Sequence, residues 1–130
     1  MKHTLIYGGV LPDLPLRLVH SKREARKVAL KLEDTKAADA IEEASGHACA
    51  SVLRFPKTGM PLFLVCLDTD EQDERKIHAL FAHEAVHVAL AYFESFGEDE
   101  PGEEEMAYTV QAVTDVLIED HEEWRKKHAQ

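Results

Sequence analysis

The run His83-Glu84-Ala85-Val86-His87 sets two imidazoles four residues apart, with a carboxylate beside the first. On a helix, positions i and i+4 project from one face a single turn apart, so both rings can converge on one ion. Neutral imidazole suits a borderline cation such as zinc, which it holds at about 2.0–2.1 Å. A glutamate next to the first histidine can take a proton from metal-activated water without itself becoming a ligand. The pattern H-E-x-x-H therefore points to metal-assisted hydrolysis with Glu84 as general base. The bland alternative is a satisfied core histidine in a chain that has eight of them. Against it stand two polar residues pointing the same way in an otherwise apolar element, because unpaired buried polar groups are costly.

A catalytic zinc commonly has three protein ligands and one open position. The extended pattern H-E-x-x-H-x-x-G-x-x-H would need glycine at position 90 and histidine at position 93. This chain has Leu90 and Phe93, which excludes that subclass. A glutamate from a following helix is the other source, and Glu103, Glu104 and Glu105 all stand at the start of one. Spacing alone does not choose among them. His78 lies five residues before His83 and off the metal face, while His3, His20, His47, His121 and His128 have no partner spacing and read as ordinary surface or core residues.

This chemistry needs the motif on a helix, and the surrounding sequence supplies one. Ile77, Leu80, Phe81, Ala85, Val88, Ala89, Tyr92 and Phe93 recur at helical spacing between about Glu74 and Phe96, apolar around much of the circumference, with Gly97 as the stop. A buried central helix is expected. A last helix runs from about Glu103 to about Lys127, with Met106, Val110, Val113 and Leu117 as its stripe, acids at its start and Arg125, Lys126 and Lys127 at its end. Before the motif helix, two β-like runs, Ala48 to Phe55 and Leu62 to Leu67, flank the turn residues Pro56-Lys57-Thr58-Gly59 and read as a hairpin. A symmetric register puts Cys49 opposite Cys66 as buried free thiols. The second run is apolar on both faces and reads as an interior strand. Earlier still, Ser21 to Glu24 has the form of a capping box opening a helix to about Glu33, and Asp34 to Ala44 suggests a second short helix. Thr4 to Tyr7 and Leu16 to His20 read as strands separated by Gly8-Gly9 and a Pro12-Asp13-Leu14-Pro15 turn region.

Bulk properties narrow the function classes. With 130 residues the chain has the length of one domain. A net charge of -10, with no basic cluster beyond Arg125 to Lys127, argues against a nucleic-acid groove. The longest apolar run, Leu62 to Leu67, is too short for a membrane span or signal-peptide core, and only two cysteines are present, so a cytoplasmic, non-membrane protein is expected.

The stretch His83-Glu84-Ala85-Val86-His87-Val88-Ala89, followed by Glu100-Pro101-Gly102-Glu103-Glu104-Glu105-Met106-Ala107-Tyr108, resembles short zincin-like metallopeptidases encoded by phages and prophages. It is similar, more distantly, to bacterial metallopeptidases that relieve repression by cleaving a transcriptional repressor. The resemblance implies a zinc peptidase acting on a peptide or protein in the cytoplasm, that of the host cell if the chain is phage-encoded. It also implies a third ligand in an E-x-x-A arrangement, which falls on Glu104 with Ala107. Tyr108 then shares the face of Glu104, where its hydroxyl would orient a ligand or stabilise an oxyanion. Where the repressor-cleaving group has Ala-Asn, this chain has Ala107-Tyr108. The expected architecture is a minimal α+β zincin-like domain. It has a small mixed or antiparallel sheet with helices on one side, the H-E-x-x-H helix under the sheet, and an edge strand open to an extended peptide. The competing expectations are a non-catalytic zincin-shaped binding or phage-assembly module and an effector directed at one host protein.

Overall fold

The computed structural model describes residues 2–7 and 11–129, and the Gly8-Gly9 connection lies outside them. Four strands, β1 (Lys2–Tyr7), β2 (Leu11–Val19), β3 (Ala48–Arg54) and β4 (Pro61–Leu67), form one mixed sheet in the order β1-β2-β4-β3. Four helices, α1 (Lys22–Lys31), α2 (Thr35–Glu43), α3 (Glu74–Ser95) and α4 (Glu103–His128), complete an α+β fold. β1 and β2 are antiparallel, β3 and β4 are antiparallel, and β2 runs parallel to β4.

The interior strand explains the layering. Leu62 to Leu67 is buried throughout, and its alternate residues enter different cores. Phe63, Val65 and Leu67 join Leu14, Leu16 and Leu18 of β2 against α3 and α4, whereas Leu62, Leu64 and Cys66 join Val19 and Leu53 against α1 and α2. Helices therefore cover both faces of the sheet. This corrects the expectation of helices on one side, and the cause is the two-faced apolar pattern of β4 itself, which one helical layer would leave half exposed to water.

A second correction concerns Pro12 to Pro15, expected as a turn and found within β2. The parallel pairing with β4 begins only at Leu16, so residues 11–15 of β2 pair on one side alone, with β1. Proline, which has no N–H to give a ladder, is tolerated there. The hydroxyl of buried Tyr92 in α3 donates to the Pro12 carbonyl and ties this segment to the motif helix.

The helix boundaries follow their caps. Ser21 Oγ accepts from Glu24 N at 3.1 Å, and Glu24 meets the Ser21 hydroxyl at 3.5 Å, so the serine half of the capping box is formed. Asp34 caps α2 through Ala37 N at 2.9 Å, and Asp73 caps α3 through Arg75 N at 3.0 Å. α3 ends where Gly97 takes a φ of 82°, with Glu98 N donating to Phe93 O at 2.9 Å. That left-handed turn reverses the chain into α4.

The hairpin has the register read from the sequence, with Cys49 opposite Cys66 and Leu53 opposite Leu62. Phe55 N donates to Met60 O and Asp68 N to His47 O, both at 2.9 Å. Hydrogen-bonded pairs alternate along an antiparallel ladder, so Cys49 and Cys66 form such a pair, and their thiols are within hydrogen-bonding reach of each other. Both thiols are free. β3 is left as the edge strand beside α3.

Candidate metal centre

α3 carries its chemistry on two adjacent faces. Ile77, Phe81, Glu84 and Val88 follow one another at spacings of four, three and four, and all are buried. Glu84 thus sits in line with core residues Phe81 and Val88 and is only 5% exposed. Burial pushes its carboxyl above the usual range, an effect the neighbouring His83 and His87 oppose. The two histidines project from the exposed side of the helix. Their ring centres lie 5.0 Å apart at an interplanar angle of 67°. Two imidazoles sharing one tetrahedral zinc would have ring centres about 5 Å apart, given Zn–N bonds of about 2.0–2.1 Å. The separation of the two rings is therefore that of a histidine pair able to share one ion.

Glu103, Glu104 and Glu105 form the exposed first turn of α4. Among the described residues, no three His, Cys, Asp or Glu side chains stand together closely enough to hold a metal, so none of these glutamates is gathered with His83 and His87 here. Nine residues separate Glu104 from buried Val113, which puts it about half a turn away, on the outer face of α4. Tyr108 shares that face and is 64% exposed, lining a shallow depression with Gln111, Ala112 and Asp115. The helical spacing of Glu104 and Tyr108 is as expected, and the motif histidines are not among the residues lining that depression.

A second polar cluster had no counterpart in the sequence reading. His121, read as an ordinary residue, is 3% exposed, and its Nδ1 lies 3.1 Å from His20 Nε2. The His20 ring stacks on Trp124 at 4.0 Å, and Glu74 stands 3.7 Å from His121 Nε2 and 3.1 Å from Arg125 Nη1. The contact between His20 and His121 spans 101 residues, so local spacing held no signal for it. A cavity of about 140 Å³ opens beside the cluster, between the segment 69–72 and the end of α4.

Burial, then the positive charge of His121, lowers His20 from 6.5 to about 4, and burial lowers His121 as well. A histidine whose folded pKa is depressed binds fewer protons folded than unfolded. Its contribution is fully present above pH 6.5 and is lost as pH falls toward 4. Between pH 7 and pH 5 the protein should lose about 1 kcal/mol through this cluster, after allowing for solvent screening of the half-open His20 ring. Urea unfolding of wild type and His20→Gln at both pH values checks this. Equal losses in the two proteins would remove His20 as the source.

No protein-family model, curated protein or solved structure matches the chain.

Proposed function

We propose that this protein is a zinc-dependent peptidase of the zincin type, with His83 and His87 as metal ligands, Glu104 as the third ligand and Glu84 as general base. The observation that carries the reading is the paired geometry on α3. Two exposed imidazoles stand at the spacing one tetrahedral ion requires, with a carboxylate held beside them in a drier environment.

When bound, zinc would supply Lewis-acid activation of water and of the scissile carbonyl. Glu84 takes the proton from the attacking water and returns it to the leaving amine. Its burial suits that work, because a carboxyl pushed upward in pKa is a better proton acceptor than an exposed one. The exposed face of His83 and His87 leaves room for a polypeptide, and edge strand β3 lies beside α3 to align an extended chain. Tyr108, one turn beyond Glu104, is placed in this reading to orient that ligand or to donate to the developing oxyanion. Among the described residues no helix is long and apolar enough to cross a membrane.

The test is hydrolysis of a denatured protein or a mixed peptide pool by zinc-loaded protein. Cleavage should appear with zinc, vanish with a chelator and return when zinc is restored. Zinc binding with no cleavage of any peptide would assign the chain instead to the non-catalytic, zincin-shaped binding modules.

A further inference from the structure

The motif face of α3 is not purely polar. His83, Val86, His87, Leu90 and Glu94 succeed one another at helical spacing and are all exposed, Val86 by 43% and Leu90 by 51%. Two branched apolar side chains on the outside of a helix whose opposite side is fully engaged in a core form an unpartnered face. Beyond Leu90 the same face leads to Glu94, and the connection after α3 and the first turn of α4 then carry Glu98, Asp99, Glu100 and three glutamates, all exposed. None of these seven carboxylates takes part in an ion pair among the described residues, in a chain of net charge -10. An apolar patch thus passes into a group of carboxylates with no ion-pair partner among the described residues, and the chemistry complementary to both is an apolar side chain followed by cations.

We infer that this face docks an extended polypeptide segment in which an apolar residue is followed, a few positions on, by lysine or arginine, and so selects such segments as substrates. The inference rests on the peptidase reading and names its substrate class. Spacing gives the register. Leu90 lies three residues past His87, about 4.5 Å along the helix, and Glu94 seven residues past, about 10.5 Å. An extended peptide advances about 3.3 Å per residue. A chain whose scissile bond lies over the histidines therefore meets Leu90 within one or two residues and Glu94 at about the third. The acids that follow α3 begin at that same end of the helix, so basic residues three to five positions from the bond face them.

The experiment uses two synthetic peptides of identical apolar core, one with lysines three to five positions from the bond to be cleaved and the other with glutamates there. Cleavage is measured with zinc-loaded wild type, and binding with zinc-loaded Glu84→Gln. The lysine peptide should be favoured about tenfold or more at low ionic strength, and the preference should shrink severalfold in 0.5 M salt, where the Debye length is only about 4 Å. Glu94→Lys/Glu98→Lys should cut the preference severalfold, with zinc content as in wild type. Leu90→Ser should weaken binding of both peptides alike. Equal handling of the two peptides, or a preference indifferent to the charge reversal, would overturn the inference and leave the peptidase reading intact. Binding of the lysine peptide with the expected selectivity but no cleavage would uphold the docking face and count against hydrolysis.

Discussion

Replacing Glu84 by glutamine should leave the fold and the zinc in place and lower peptide hydrolysis by about 10²–10⁴-fold, the range that a positioned general base contributes. The substitution separates two roles that burial and charge make distinct. Glu84 is on the buried stripe of α3, between Phe81 and Val88, while His83 and His87 are on the exposed side. Glutamine keeps the size and shape of the side chain and removes only the charge. Since burial already disfavours the ionised form of Glu84, a neutral side chain is tolerated there. The measurement is kcat/KM for a cleaved peptide beside the zinc content of the same preparation. A fall in turnover of that size at unchanged zinc is the expected pattern. Unchanged turnover would mean that another group takes the proton.

Much of this arrangement was legible in the sequence, because local pattern determined it. The helical period from Ile77 to Phe93 placed the motif on a central helix, which runs Glu74–Ser95, and Gly97 ended it through a left-handed turn. The hairpin register followed from a tight turn between two β-like runs, and the two-faced apolarity of residues 62–67 marked an interior strand. The same two-faced pattern also required cover on both sides, a consequence that became plain only with α1 and α2 on one face and α3 and α4 on the other. What escaped sequence reading was nonlocal. Pro12 and Pro15 signal a turn by their own chemistry, yet the unpaired side of β2 accommodates them. His20 and His121 are joined only by the packing of α4 against the end of β2, and no spacing along the chain announces that contact. The third ligand belongs to the same category. Glu104 comes from a resemblance in the Glu100 to Tyr108 stretch, since three successive glutamates at a helix start differ by rotation about the axis and not by any local signal.

The second large effect concerns the metal itself. His83 and His87 are exposed and lie outside both cores, so alanine at either position should change stability by about 0.5 kcal/mol or less. Loss of zinc in these variants can then be read as loss of a ligand and not as unfolding. One imidazole cannot hold the ion as a pair does, and the double variant should retain none. Glu104→Ala should weaken binding severalfold or more, whereas Glu103→Ala should not, because only Glu104 occupies the E-x-x-A position.

The most direct measurement is the zinc content of the purified, zinc-reconstituted protein by elemental analysis, with wild type and His83→Ala/His87→Ala compared at equal helicity. About one zinc per chain in wild type and essentially none in the double variant is the predicted result. Wild-type protein free of zinc after reconstitution, or a double variant that keeps its zinc, would contradict the assignment of α3 as a metal-binding helix.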